Sequence, residues 1–390
     1  MDLSYIINEL GEDNSQYFNA VAPPIIQTSN FSFPTVEAMR KGFQDEMHGY
    51  LYSRGVNPTV DILRKKLAAL DGAEDCLVFN SGVAAIFAGV LANVKSGDHI
   101  ISIDHPYSWV QHLFNKILPR FGITTTYISG VDIENFEKAL QPNTSFIYIE
   151  SPSNWFLDLQ DIEAVAKLAK SKAIITMIDN TYCSPLYQRP YELGIDLCMQ
   201  TATKYISGHS DTLGGVLTGS AVMMRKIFES EYLCVGSGIQ PHNAWLLLRG
   251  LRTMPLRLER IAKTTKDVFK FLKSNSNVEE VLFPMDPDFP QFELAKKQMK
   301  DAMGLISIFV KFDTVKQIEH FCNTLKHFRM AVSWGGHESL VIPRLAVMKP
   351  EDFDASQKIH RMIRIYVGLE DSDYLINDLK QAFDSAAALG

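Results

Sequence analysis

The sequence predicts an α/β fold with a large, mostly parallel seven-stranded sheet domain and a smaller C-terminal α/β domain. Apolar runs of strand length alternate with helical stretches between residues 60 and 245, which is typical of a parallel sheet covered by helices on both faces. A second pattern begins near Ile306, after a long helix predicted at residues 246–261, and ends in a predicted helix at 374–386. A chain of 390 residues also exceeds the size at which one hydrophobic core stops growing.

We therefore expect three segments. Residues 1–59 are loop-rich and predict an arm, residues 60–245 predict the large domain, and residues 246–390 predict the small domain. The seven strands of the large domain are expected around Leu77, Ile100, Thr125, Ile147, Ile175, Met199 and Val216.

Composition limits the classes of partner. The formal net charge is −7, from 38 basic and 45 acidic residues, and no basic cluster stands out, so we expect no nucleic-acid binding. The first residues are acidic and mixed, unlike a targeting peptide, and no apolar run approaches bilayer length, so we expect no membrane association. The five cysteines form no CxxC pair, which favours reduced thiols in a cytoplasmic protein over disulfides or a metal site.

A carboxylate ends one of the predicted buried strands. Residues 173–180 are largely apolar and finish at Asp179, which places this side chain at the carboxyl edge of the sheet, where ligands of α/β proteins bind. An acid at this place is suited to a protonated ring nitrogen such as that of pyridoxal phosphate (PLP).

A lysine follows the next predicted strand. Lys204 is flanked by Thr201 and Thr203, whose hydroxyls can bind a phosphate, and a lysine amine can be made nucleophilic by burial or by neighbouring positive charge. A solvated surface lysine is the alternative for such a residue by itself. Together with Asp179, Lys204 indicates a PLP attachment site.

Two segments are candidates for binding the phosphate. Gly82 and Val83 follow a predicted strand and open a helix expected to reach about Val94, so their N–H groups suit an anion, although an ordinary capping turn has the same pattern. Tyr52 and Arg54, on a loop rich in Gly and Pro, offer a phenol and a guanidinium, although a solvated loop arginine is the alternative.

Two further residues are candidates for binding the ring and the substrate. Tyr107 follows another predicted strand, where an aromatic side chain can stack on a flat ring or merely pack at the rim of the core. Arg364 lies inside the apolar stretch 363–367, where a charge is costly unless it is paired. A ligand carboxylate is a suitable partner, and an exposed edge-strand position is the alternative.

The ordered motifs of the chain resemble the Cys/Met-metabolism (trans-sulfuration) family of fold-type I PLP-dependent enzymes. They occur in family order over nearly the whole sequence, at residues 52–59, 80–82, 150–154, 178–181, 203–211, 248–253, 333–340 and 364–371.

The resemblance implies a role for each matching residue. Lys204 would carry PLP as a Schiff base and act in catalysis with Tyr107 and Tyr52. Asp179 would hold the ring nitrogen, and Tyr107 would stack on the ring. Phosphate ligands would be Gly82, Val83, Thr201, Thr203, and Tyr52 with Arg54 from a neighbouring subunit. The substrate would be bound by Arg364, Ser333, Asn154 and Trp334. The resemblance also implies a homo-oligomer, usually a tetramer made of two dimers, with a small amino acid as substrate.

The implied reaction is carbon–sulfur bond cleavage. The motifs that distinguish elimination at Cβ from elimination at Cγ point in both directions. The form Ser-Trp-Gly-Gly-x-Glu-Ser-Leu around Trp334 resembles bacterial enzymes that split L-cystathionine by β-elimination into homocysteine, pyruvate and ammonia. Val332 and Trp109 also depart from the patterns of γ-acting relatives, whereas residues 52–59 and 152–154 resemble the γ-lyase and γ-synthase branch. We expect cystathionine β-lyase activity. Cystathionine γ-lyase or γ-synthase activity, methionine γ-lyase activity and a regulatory protein on the same fold are the alternatives.

Overall fold

The computed structural model describes residues 1–389, which form two compact units. The first unit contains Met1–Asn154, Leu159–Ser207 and Asp211–Thr253. The second contains Trp155–Asp158, Gly208–Ser210 and the described residues from Met254 onward. The three-segment division at 59/60 and 245/246 stays a prediction.

The first unit is built on a seven-stranded sheet with the strand order β1-β7-β6-β5-β4-β2-β3. Its strands are β1 (Asp75–Phe79), β2 (His99–Ile103), β3 (Thr124–Ile128), β4 (Thr144–Glu150), β5 (Ile175–Asp179), β6 (Leu197–Gln200) and β7 (Gly215–Gly219). Strand β7 is antiparallel to β1 and β6, and the remaining pairs are parallel. The predicted mostly parallel sheet and its seven strand positions are confirmed.

Both faces of this sheet are buried. On β5, Met177 belongs to one hydrophobic cluster and the next residue, Ile178, belongs to another. Successive strand residues point to opposite faces, so the two clusters cover the two sides of the sheet. The parallel strands β4, β5 and β6 end at one edge, where Glu150, Asp179 and Thr201 are found.

The first unit also contains ten complete α-helices within the described residues. They are α1 (Leu3–Asn8), α2 (Val36–Gln44), α3 (Pro58–Asp71), α4 (Gly82–Leu91), α5 (Ser108–His112), α6 (Ile133–Ala139), α7 (Ile162–Ser171), α8 (Ser184–Tyr187), α9 (Ala221–Ile227) and α10 (Leu233–Val235). Helix α4 ends at Leu91, slightly before the predicted end near Val94.

The long helix predicted at residues 246–261 is longer at both ends. Helix α11 spans Pro241–Ser274 and contains Pro255. Thr264 and Thr265, just beyond the predicted end, are weak helix formers. Val268 and Leu272 are fully buried in a hydrophobic cluster of the second unit, so packing extends the helix beyond the range that propensity predicts.

The second unit contains a five-stranded sheet in the order β10-β11-β12-β9-β8. Its strands are β8 (Val278–Leu282), β9 (Leu305–Val310), β10 (Arg329–Met330), β11 (Leu340–Pro343) and β12 (Met362–Tyr366), and its helices are α12 (Phe292–Gln298), α13 (Val315–Thr324) and α14 (Ser372–Ala387). All strand pairs are antiparallel except β10 with β11. Within residues 1–389, every helix is too short or too polar to cross a membrane.

Candidate active site

Asp179 is the last residue of β5 and is 7% exposed. Its Oδ1 accepts hydrogen bonds from the backbone N–H of Thr181, at 2.9 Å, and from the Thr181 hydroxyl. Its Oδ2 accepts no hydrogen bond from any residue in the range 1–389. Burial raises the pKa of Asp179 to about 6, against the opposing effects of Thr181 and the positive charge of Lys204. Asp179 therefore has one oxygen available to a donor.

Lys204 and Tyr107 lie near this carboxylate. Lys204 is half-buried in a turn closed by its backbone N–H donating to the Thr201 carbonyl at 3.1 Å, and its charge lowers the pKa of Asp179. Tyr107 precedes α5, and its N–H donates to Glu150 Oε2 at 2.9 Å. Burial raises the pKa of the Tyr107 hydroxyl, with further increases from the charges of Asp179 and Glu150. The structure thus brings three predicted site residues together.

An anion-binding cradle adjoins these residues. Ser81 caps α4 by accepting a hydrogen bond from the Ala84 N–H at 3.2 Å, so the N–H groups of Gly82 and Val83 lie at the helix N-terminus. A Cβ atom on Gly82 would collide with the Thr201 hydroxyl, which is therefore held against the first turn of α4. Only glycine leaves this space open.

Thr181 connects the cradle to Asp179. Its hydroxyl donates to Asp179 and accepts a hydrogen bond from the Thr201 N–H at 2.8 Å. By contrast, the Thr203 hydroxyl accepts from the Gly214 N–H at 3.1 Å, so it is engaged with backbone inside the chain.

These residues fit PLP in their chemistry. The cofactor has a phosphate, which suits the helix N-terminus with Thr201, and a ring nitrogen, which suits the available Oδ2 of Asp179. Lys204 supplies an amine three residues after Thr201, and its charge acts on Asp179. Among residues 1–389, no group of three or more His, Cys, Asp or Glu side chains is arranged to hold a metal ion.

Tyr52 and Arg54 lie elsewhere on the first unit. Both are exposed, and the Arg54 Cζ lies 5.5 Å from the centroid of the Tyr52 ring. They line a polar cavity of about 360 Å³ whose walls do not include Gly82, Thr201 or Lys204. Their predicted action on a neighbouring subunit's phosphate stays a prediction.

The substrate candidates occupy both units. Asn154 is half-buried in the first unit, whereas Arg364, Ser333 and Trp334 belong to the second. Arg364 lies within β12, is 6% exposed, and pairs across the sheet with Ser307. Ser333 has a φ of 86°, a left-handed backbone conformation that is costly for a residue other than glycine.

Sequence reasoning missed Thr181, Glu150 and Trp155 as individual contributors. Thr181 and Glu150 stood inside recognised motifs, but their hydrogen bonds to Asp179 and Tyr107 depend on the fold. Trp155 follows Asn154 directly, and an aromatic residue next to a predicted binding segment was the available signal. Its ring centroid lies 4.8 Å from the Arg364 Cζ.

Comparisons with known proteins agree with this geometry. The family model described as Cys/Met metabolism PLP-dependent enzyme matches residues 5–384. The chain belongs to this family. It is 37% identical to the L-methionine gamma-lyase of Treponema denticola, over 94% of this chain and 93% of the relative. It is 36% identical to the cystathionine gamma-lyase of Homo sapiens, over 97% and 92%. The crystal structure of metB from Corynebacterium glutamicum superposes with a TM-score of 0.90 and 30% identity, covering 99% of this chain and 98% of that one.

The comparisons confirm the predicted family, the fold class and PLP as the cofactor of this Cys/Met-metabolism enzyme. They also support a lyase of sulfur amino acids, since the relatives above include two lyases. Those relatives are named gamma-lyases, so the comparisons leave the predicted β-elimination of cystathionine unconfirmed.

Proposed function

We propose that this enzyme cleaves the carbon–sulfur bond of L-cystathionine by β-elimination, giving homocysteine, pyruvate and ammonia. The observation that supports a PLP-dependent elimination is the half-satisfied carboxylate of Asp179 beside Lys204. The preference for β-elimination rests on Trp334 and the surrounding Ser-Trp-Gly-Gly-x-Glu-Ser-Leu segment.

PLP, when bound, supplies a ring that withdraws electrons from Cα of an attached amino acid. The N–H groups of Gly82 and Val83, with the Thr201 hydroxyl, would bind its phosphate and fix its position. Asp179 Oδ2 would hold the proton on the ring nitrogen, because this oxygen accepts no other hydrogen bond within residues 1–389. Tyr107 would restrict the ring by stacking.

Lys204 would act as the general base. Its amine, once released by the incoming amino acid, would remove the Cα proton in a fixed geometry. The Cβ–S bond would then break with its electron pair leaving on sulfur, the homocysteine thiolate would take up a proton, and hydrolysis by water would give pyruvate and ammonia. Arg364, which lies buried within β12, would hold the α-carboxylate, helped by Ser333 and Asn154.

Elimination at Cγ is the second candidate, and the γ-lyase relatives favour it. It requires one further proton to be removed from Cβ, a step that the Lys204 amine can also perform. It would convert L-cystathionine into cysteine, 2-oxobutyrate and ammonia.

Product analysis separates the two candidates. We expect the PLP-loaded enzyme to convert L-cystathionine into equal amounts of pyruvate and homocysteine. Detection of 2-oxobutyrate with cysteine would replace β-elimination by γ-elimination, and the absence of all four products would contradict cystathionine as substrate. Size-exclusion chromatography with light scattering would test the proposed homo-oligomer, for which we expect a tetramer. A cytoplasmic location likewise stays a prediction.

A further inference from the structure

Two arginines of the second unit share one indole ring. The Arg364 Cζ lies 4.8 Å from the Trp155 ring centroid, and the Arg344 Cζ lies 5.5 Å from the same centroid. Both distances are within the range of favourable cation–π contacts. The two guanidinium carbons are consequently no more than about 10 Å apart.

The sheet of the second unit fixes this arrangement. Arg364 on β12 lies opposite Ser307 on β9, and the Ser307 hydroxyl donates to the Trp155 carbonyl at 2.6 Å. On its other side, Arg364 lies opposite Ile342 of β11, and Arg344 follows two residues later at the end of that strand. The indole and both cations are thus held by three adjacent strands.

Arg344 has an unusual electrostatic environment for a half-buried cation. Within residues 1–389, no carboxylate lies within 4 Å of its side chain, and the indole is its contact. The nearby like charge of Arg364 disfavours this placement further. An anion bound at Arg344 would relieve both costs.

We infer that Arg344, held on Trp155 beside Arg364, binds a second carboxylate of the substrate. The enzyme would then prefer sulfur amino acids that carry a carboxylate at both ends of the thioether over those that carry one. This inference rests on the proposed function, in which Arg364 binds the α-carboxylate.

The dimensions agree with such a ligand. Seven bonds separate the two carboxyl carbons of L-cystathionine, so its extended length between them is roughly 9 Å. A ligand of this length can place one carboxylate at each guanidinium, because the shared contact with the Trp155 ring keeps Arg344 and Arg364 close together. A substrate such as S-methyl-L-cysteine or L-methionine has no group for Arg344.

The test compares substrates with two carboxylates and with one. For Arg344→Gln, we expect the ratio of kcat/KM for L-cystathionine to that for S-methyl-L-cysteine to fall roughly tenfold, the loss typical of one charge-assisted contact, mainly through KM. If elimination occurs at Cγ, L-methionine replaces S-methyl-L-cysteine. Lys349→Gln, which removes an exposed positive charge five residues away, is the matched control and should leave the ratio unchanged.

Trp155 provides the second arm of the test. Trp155→Leu should lower the same ratio, whereas Trp155→Phe, which keeps an aromatic face, should restore most of it. An unchanged ratio in Arg344→Gln, or an equal fall in Lys349→Gln, would overturn the inference.

A binding measurement keeps this result separate from the lyase proposal. Titration calorimetry with the PLP-loaded Lys204→Ala variant needs no turnover. We expect L-cystathionine to lose roughly tenfold in affinity when Arg344→Gln is added, and the one-carboxylate amino acid to lose less. Equal losses would reject the second-carboxylate site, even if lyase activity were established. A selective loss would support the site, even if neither substrate were cleaved.

Discussion

Two buried carboxylates in the first unit have opposite surroundings. Asp71, the last residue of α3, is fully buried, and both of its oxygens accept hydrogen bonds. Gln200 Nε2 donates to Oδ1 and Oδ2 at 2.9 Å, and the Thr218 hydroxyl donates to Oδ2 at 2.7 Å. Asp179, at the end of β5, has only Oδ1 satisfied and has Lys204 as a charged neighbour.

Burial raises the pKa of both groups, to about 7 for Asp71 and about 6 for Asp179. The pKa values alone therefore do not separate a structural acid from a functional one. What separates them is the unused oxygen of Asp179, because a group that binds a ligand must keep an acceptor free, whereas both oxygens of Asp71 accept hydrogen bonds. The following variants test this distinction.

Lys204→Ala should have the largest effect. Without the amine, we expect the visible absorbance of covalently held PLP to disappear and kcat to fall by at least about 10⁴-fold. The melting temperature should stay within a few degrees of the wild type. Lys170→Ala, which removes an exposed lysine on α7, should retain both colour and activity. An unfolded Lys204→Ala protein, or one with full activity, would refute the assigned role.

Asp179→Asn should have the next largest effect. Loss of the negative charge would leave the ring nitrogen without its counter-ion, so we expect kcat to fall roughly 10²- to 10³-fold. Asp71→Asn is the control and should change kcat by less than about threefold, since Asp71 is committed to Gln200 and Thr218. Equal losses of kcat in the two variants would remove the distinction between the two acids.

The titration of Asp179 also predicts a pH dependence of PLP binding. Below the pKa of about 6, Asp179 in the apo-protein becomes neutral and loses its attraction for a protonated ring nitrogen. We therefore expect PLP affinity to fall as the pH decreases through about 6, measured by fluorescence titration of apo-protein. In Asp179→Asn this part of the pH dependence should vanish, and its persistence there would show that another group is responsible.

Gly82→Ala should have an intermediate effect, which we expect on the binding of the PLP phosphate and hence on PLP affinity. The added methyl group would displace the Thr201 hydroxyl from the first turn of α4, so we expect PLP affinity to fall about tenfold. Gly89→Ala lies in the same helix and contacts the Leu217 and Met177 side chains at 3.2 Å. It should alter stability more than PLP affinity. A larger loss of PLP affinity in Gly89→Ala would argue against the cradle.

The parallel sheet was predictable because its strands are apolar on both faces and its ligand edge follows from strand direction. Asp179 ends a strand, and Lys204 and Tyr107 each follow one, so the sequence places all three at the same edge of the sheet. The partners that distinguish Asp179 from Asp71 were not predictable. Gln200 lies 129 residues from Asp71, and Thr218 lies 147 residues away, so these hydrogen bonds exist only after folding.

The antiparallel sheet of the second unit was harder to predict in detail. Arg364 was found because a charge interrupts an apolar strand. Trp155 offered only its position next to Asn154, and Arg344 offered no signal of this kind. The Trp155 ring contacts Arg364, and the Trp155 carbonyl accepts a hydrogen bond from Ser307, which pairs with Arg364 across the sheet. Trp155 and Ser307 are 152 residues apart in the sequence. Sequence spacing carries no information on such contacts.

Asp71→Asn should have the smallest effect on activity and its main effect on stability. The folded-state pKa of Asp71 lies above its unfolded value, so the native state holds the proton more tightly. This group's contribution to stability is therefore greatest near pH 4 and decreases as the pH rises toward 7. Asn cannot ionise, so the free energy of unfolding of the variant relative to the wild type should rise between pH 4 and 7, by at most about 4 kcal/mol. Urea unfolding at several pH values measures this difference. A difference that is independent of pH would mean that Asp71 titrates alike in the folded and unfolded chain, and that burial with three hydrogen bonds leaves its proton affinity unchanged.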